Sequence, residues 1–124
     1  MKILVCDDHP IFREGLCEAL AELDAEFVEA SDSDAALRSV AADNAIELVL
    51  LDLVMPNMDG AETFHALRKI DPSVRVLISS GQTELAGARE LLAAGVQGFL
   101  QKPYDAGTLG DAISRATFGP RKWR

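Results

Sequence analysis

Five short apolar runs, Ile3–Cys6, Phe27–Ala30, Leu48–Leu51, Val74–Ile78 and Gly98–Leu100, punctuate this chain, and helical periodicity fills the intervals between them. A strand with one wet face alternates apolar and polar residues, whereas a run apolar at every position has both faces buried. Parallel strands sandwiched between helices meet that condition, so the pattern predicts an α/β fold of the (βα)5 kind, doubly wound, with helices on both sides of a parallel sheet. The second run departs from the others, because Glu26 and Glu29 bracket Phe27 and Val28. A short strand carrying charge suits a sheet edge.

The helical segments show matching faces. Phe12, Leu16, Leu20 and Leu23 line the first; Phe64, Leu67 and Ile70 the third; Leu85, Ala88, Leu91 and Leu92 the fourth. The fifth starts near Asp105 and carries Leu109, Ala112, Ile113 and Ala116. Asp71-Pro72 is placed to end the third and Gly95 the fourth, since proline cannot continue a helix and glycine accepts a left-handed cap.

The 124 residues suffice for one domain, expected over residues 1–117, with 118–124 as a basic tail or truncated linker. Twenty acidic against twelve basic side chains give a net charge of −8, which repels phosphate backbones and argues against direct nucleic-acid binding. No apolar stretch is long enough for a membrane span and no leader pattern opens the chain, so the expected setting is cytoplasmic. Cys6 and Cys17 are too few for a disulfide scaffold.

In open parallel sheets, ligands collect beyond the carboxyl ends of the strands. The first run ends in Asp7-Asp8, the third in Asp52, the fourth in Ser79-Ser80 and the fifth in Gln101-Lys102, while Ser31-Asp32 ends the edge strand. Three carboxylates, a hydroxyl and an ammonium thus converge on one rim. Close carboxylates repel unless a cation neutralises them, and hard oxygen ligands suit Mg²⁺. With the charge balanced, Asp52 is a nucleophile toward phosphorus, Lys102 pairs with a phosphoryl oxygen and a fourth-strand hydroxyl donates to another. Singly, each residue has a plainer explanation: Asp7, Asp8 and Ser80 as caps or turn formers, Lys102 as a solvated surface group. Asp52 is the exception, because apolar residues flank it on both sides and a buried carboxylate is costly unless compensated.

These residues resemble the receiver domain of two-component response regulators over residues 1 to 117. The resemblance rests on Asp7-Asp8, the stretch Leu51-Asp52-Leu53-Val54-Met55-Pro56-Asn57-Met58-Asp59-Gly60, the pair Ser80-Gly81, and Lys102-Pro103. The opening from Cys6 to Leu16 is most similar to regulators of the LuxR/NarL type, whose output is a helix-turn-helix. The resemblance implies the strand order 2-1-3-4-5 and a phosphoacceptor at Asp52, charged by a phosphohistidine on a sensor histidine kinase or phosphotransfer protein. It implies Mg²⁺ held by Asp7, Asp8, Asp52 and the backbone carbonyl of Val54. Lys102 contacts the phosphoryl group, with a cis bond to Pro103. Ser80 is the switch hydroxyl and Phe99 the switch aromatic, biasing the face of the fourth helix, fifth strand and fifth helix that meets an output. A homodimer through that face, or through the first and fifth helices, is compatible with the family.

Two departures qualify the match. Ser80 stands where threonine is commoner, losing the methyl that restricts the rotamer. Phe99 lacks the hydroxyl of relatives with tyrosine there. Val54 and Gln82 fall where hydrolysis of the acyl phosphate is tuned, and an apolar Val54 cannot orient a water, which predicts slow self-dephosphorylation. The resemblance implies a signalling domain rather than an enzyme, with an intrinsic Mg²⁺-dependent self-phosphorylation.

Other readings are weaker. Cys6-x-x-His9 supplies only two zinc ligands of the four a closed site needs, so Cys6 is expected in the core and Cys17 packed or half-exposed. A flavodoxin-like carrier needs a glycine-, serine- and threonine-rich phosphate loop where Asp-Asp-His-Pro stands. A haloacid dehalogenase-type phosphatase wants a second aspartate at position 54, which is Val54. The remaining alternative is a phosphorylation-independent interaction module on the same fold, against which Asp8, Asp52, Ser80 and Lys102 all argue.

Overall fold

The computed structural model describes residues 2–7, 15, 17, 18, 21, 26–53, 60–80, 88–101 and 104–118. Five strands, β1 (Lys2–Cys6), β2 (Glu26–Ala30), β3 (Ile46–Asp52), β4 (Arg75–Ser80) and β5 (Gly98–Gln101), form one sheet in the order β2-β1-β3-β4-β5. Every pairing is parallel. The order 2-1-3-4-5 and the edge position of the charged second strand are both as expected.

Four helices are bounded within the described residues: α1 (Ser33–Ala42), α2 (Gly60–Ile70), α3 (Ala88–Ala94) and α4 (Ala106–Phe118). The third, fourth and fifth helical segments of the sequence are thus α2, α3 and α4. Of the first, Gly15, Cys17, Glu18 and Ala21 are helical, and the expected face of Phe12, Leu16, Leu20 and Leu23 lies outside the described residues, as does Leu85.

Alternation along the strands splits the core in two. Leu4, Cys6, Val49, Leu51, Val76 and Ile78 face one cluster, which Ala36 and Val40 of α1, Phe64 and Leu67 of α2, and Leu91 of α3 complete. Ile3, Val5, Leu48, Leu50, Leu77 and Leu100 face the other, closed by Leu109, Ile113 and Ala116 of α4. Both clusters are nearly inaccessible to water, so both faces of the central strands are dry, as their unbroken apolar runs require.

The helix ends have local causes. Asp32 caps α1 by accepting a hydrogen bond from the Ala35 amide at 2.8 Å. Asp105 does the same for α4, accepting from the Thr108 amide at 2.7 Å, and that bond holds its carboxyl below the usual aspartate range. Gly95 follows α3 with φ of 114°, a left-handed conformation that any side chain would strain.

Two expected core positions face water instead: Leu92 is 50% exposed and Ile70 is 42% exposed. Leu91 and Leu92 are adjacent, about 100° apart around a helix, so only one can point at the sheet. Ile70 is the last residue of α2, where the chain leaves the core toward Pro72. Among the described residues, no helix is long and apolar enough to cross a membrane.

Candidate phosphoacceptor site

The carboxyl ends of β1, β3 and β4 lie side by side, and each carries a buried polar residue. Asp7 is 2% exposed and Asp52 4% exposed. The Cys6–Leu51 pair is the last of the β1–β3 ladder, and one step further brings Asp7 alongside Asp52. The Asp7 amide donates to the Ala30 carbonyl at 3.1 Å, which continues the β1–β2 ladder and fixes the backbone beneath the side chain. Across β4, Asp52 pairs with Ser79, and the Leu53 amide donates to the Ser79 carbonyl at 2.9 Å.

Ser80 closes β4, 1% exposed, and its Oγ has no hydrogen-bond partner among the described residues. A buried hydroxyl in that state costs about 1–3 kcal/mol, so an unpaired donor at the rim marks a site that a ligand oxygen would complete. Phe99 is half-buried on β5 and packs on the same cluster as Ile78, its partner in the β4–β5 ladder.

The end of β3 and the start of α2 are tied together. The Gly60 amide donates to the Leu53 carbonyl at 2.8 Å, and a Cβ at Gly60 would stand 2.6 Å from the Leu53 Cα. Only glycine permits that approach, so Gly60 lets the start of α2 lie against Leu53, the residue after Asp52.

The structure brings together Asp7, Asp52, Ser80 and Phe99 of the expected site. Asp8, Val54 and Lys102 lie outside the described residues, as do Gly81, Gln82, Pro103 and His9. Cys6 is buried and Cys17 half-buried, neither in a disulfide, and Cys6 Sγ lies 3.6 Å from the Asp32 carbonyl. Among the described residues no group of three or more metal-ligating side chains occurs, Asp8 lying outside them.

Tyr104, which the sequence did not single out, lies near the same end of the sheet. It follows β5, its ring packs on the α4-side cluster and its hydroxyl oxygen is shielded from solvent. Burial pushes the phenol above the ordinary tyrosine range; the Ser79 hydroxyl opposes the shift, and the charges of Asp7 and Asp52 add to it. The signal was an aromatic residue two positions after Lys102 and immediately before the Asp105 cap.

Residues 3–114 match the family model of the response regulator receiver domain. The probable transcriptional regulatory protein NarL of Mycobacterium tuberculosis is 40% identical over 104 residues, covering 82% of this chain and 48% of that protein. The chain therefore spans about half the length of such curated relatives. The crystal structure of a receiver domain protein from Clostridium thermocellum superposes with a TM-score of 0.88 at 32% identity, covering 93% of this chain and 92% of that one. A receiver domain of the sensor histidine kinase PA1611 from Pseudomonas aeruginosa, solved with a magnesium ion in its active-site cleft, shares the fold at 24% identity and a TM-score of 0.82, covering 93% and 95% of the two chains. Matched over nearly its whole length, in family model and in fold, the chain belongs to the receiver domains of two-component response regulators.

Proposed function

We propose that Asp52 is the phosphoacceptor of this receiver. The observation that carries the reading is the side-by-side burial of Asp52 and Asp7 at adjacent strand ends, near a Ser80 hydroxyl with no partner among the described residues. A carboxylate oxygen of Asp52 attacks the phosphorus of a phosphohistidine. The phosphorus–nitrogen bond breaks, the imidazole leaves, and an aspartyl phosphate remains. The donor is a sensor histidine kinase or phosphotransfer protein.

Asp7, Asp8, Asp52 and the Val54 carbonyl are the group that would hold Mg²⁺. The two described carboxylates fit that ion, because neighbouring buried anions call for a hard cation with oxygen ligands. When bound, Mg²⁺ supplies positive charge against the transferring phosphoryl group. Lys102 pairs with a second phosphoryl oxygen and Ser80 donates to a third. Phe99 then repacks, shifting the surface of α3, β5 and α4 that meets the output. Val54 leaves no side-chain donor to orient a hydrolytic water, so the acyl phosphate decays slowly. In a longer protein of the kind its NarL-type relative represents, that output is control of transcription.

Intact mass after incubation with acetyl phosphate tests the reading. The wild-type chain gains one phosphoryl group only with Mg²⁺ present, and Asp52→Ala gains none. A folded wild-type protein that gains nothing overturns it, and so does an Asp52→Ala variant that is still modified.

A further inference from the structure

The first turns of α1 and α2 meet through two hydroxyls. Ser33 Oγ and Thr63 Oγ1 share a hydrogen bond of 2.8 Å, and both residues are 0% exposed. Around them, Ala36 and Val40 of α1 and Phe64 and Leu67 of α2 belong to one apolar cluster. Apolar contact is non-directional, so helices joined by it alone slide past one another at little cost. A hydrogen bond is directional, and in a dry seam a shift of about 1 Å gives it up with no water to replace it.

Each hydroxyl is tied through backbone to one of the two buried carboxylates. On the Ser33 side, the Asp7 amide donates to the Ala30 carbonyl at 3.1 Å and Cys6 Sγ donates to the Asp32 carbonyl at 3.6 Å. Asp32 caps α1 from the position directly before Ser33. On the Thr63 side, the Gly60 amide three residues back donates to the Leu53 carbonyl at 2.8 Å, and Leu53 directly follows Asp52. The Cys6–Leu51 pair of the β1–β3 ladder completes the circuit. β1, α1, α2 and β3 are thus joined in a ring at the end of the sheet that holds Asp7 and Asp52, and the Ser33–Thr63 bond is its link between helices. Glycine lets α2 come this close to Leu53 but brings no side chain to hold it there, so the helix is held from its other side.

We infer that Ser33 and Thr63 are positioning residues of the phosphoacceptor site: their buried bond pins the first turn of α2, keeps Gly60 on Leu53 and so fixes the backbone that orients Asp52 toward phosphorus. The inference rests on the reading of Asp52 as the acceptor. The two hydroxyls act through the backbone and not on the phosphoryl group itself.

The test uses the full chain as wild type, Thr63→Val, Thr63→Ser and Ser33→Ala. Valine keeps the shape of threonine without the hydroxyl, whereas serine keeps the hydroxyl and loses a buried methyl. Amide exchange is read first, with neither donor nor metal present. In Thr63→Val and in Ser33→Ala the Gly60 amide should exchange about fivefold faster or more, while the amides of β5 stay within about twofold of wild type. Thr63→Ser should leave Gly60 within about twofold of wild type even where its Tm falls. Uptake from acetyl phosphate at saturating Mg²⁺ should follow the hydroxyl in the same way, slower by about threefold or more in Thr63→Val and Ser33→Ala and near wild type in Thr63→Ser. Gly60 exchange unchanged in Thr63→Val overturns the inference, as does a rise shared equally by β5, which is a general loss of stability. Uptake that follows Tm across the variants, and not the hydroxyl, overturns it as well. A wild-type chain that takes up no phosphoryl group would instead overturn the acceptor reading itself, and the Gly60 comparison then still decides whether the two hydroxyls hold α2.

Discussion

Ser80 and Phe99 lie on the same face of the sheet, on neighbouring strands: Ser80 pairs with Gln101, and Phe99 stands two residues before Gln101. Ile78 pairs with Phe99 and sits two residues before Ser80, so the three share one face of the sheet, where Phe99 packs on the cluster that holds Ile78. On the function proposed above, a shift at Ser80 is passed to Phe99 along this shared face, which is the physical content of a switch between two arrangements.

The orphaned Ser80 hydroxyl makes a signed prediction. In the unphosphorylated protein, Ser80→Ala should be neutral or stabilising by up to about 1 kcal/mol, because it removes a buried donor that bonds nothing among the described residues. Urea unfolding measures this, and a loss above about 1 kcal/mol would contradict it. After phosphorylation the same variant should lack the change in amide exchange that wild type shows along β5.

Gly60→Ala should destabilise the fold by about 1–3 kcal/mol, since overpacking against fixed backbone has no easy relief. The added Cβ meets the Leu53 Cα at 2.6 Å and its carbonyl oxygen at 2.8 Å. Leu53 directly follows Asp52, so phosphoryl uptake should fall along with the urea midpoint. Unchanged stability would mean that the Leu53–Gly60 approach relaxes without cost.

Arg68 joins α2 to the end of α3. Its Nη2 donates to the Gly95 carbonyl at 2.8 Å while its guanidinium lies 5.1 Å from the Phe64 ring centroid. Gly95→Ala forces a side chain into φ of 114° and places a Cβ 3.3 Å from Arg68 Nη1, for a cost of about 1–3 kcal/mol. Arg68→Ala should cost less overall yet speed amide exchange at the carboxyl end of α3. Exchange unchanged there would show that the tie does not hold that helix.

Lys2 and Asp43 form an ion pair that anchors the start of β1 beside the end of α1. Hydrogen bonding to Asp43 raises the Lys2 ammonium, and bonding to Lys2, then to the Ala45 amide, lowers the Asp43 carboxyl. For Asp43, folded below its unfolded value, the stabilisation is present above the ordinary aspartate range and lost as pH falls through the folded value. For Lys2, folded above its unfolded value, it is present below the ordinary lysine range and lost as pH rises through the folded value. Asp43→Asn should flatten both limbs of the urea midpoint against pH, and added salt should shrink the difference, as solvent screens a pair this exposed. Identical pH profiles at low salt would exclude a contribution from the pair.

The sequence by itself determined the strands, the sheet class and most of the rim. Runs apolar at every position have no stable home except a sheet covered on both sides, and polar residues at their ends stand where such sheets bind ligands. Asp7, Asp52 and Ser80 were legible for that reason, and Asp105 and Gly95 because helix ends need particular chemistry. Tertiary structure decided what depends on neighbours distant in the chain. Which of Leu91 and Leu92 meets the core follows from helix rotation, which composition leaves open. Which serine stands beside Asp52 follows from the β3–β4 register, and a shift of one residue would exchange Ser79 for Ser80. The Tyr104 ring reached the α4-side cluster only when β5 and α4 carried it against strands that lie tens of residues away along the chain.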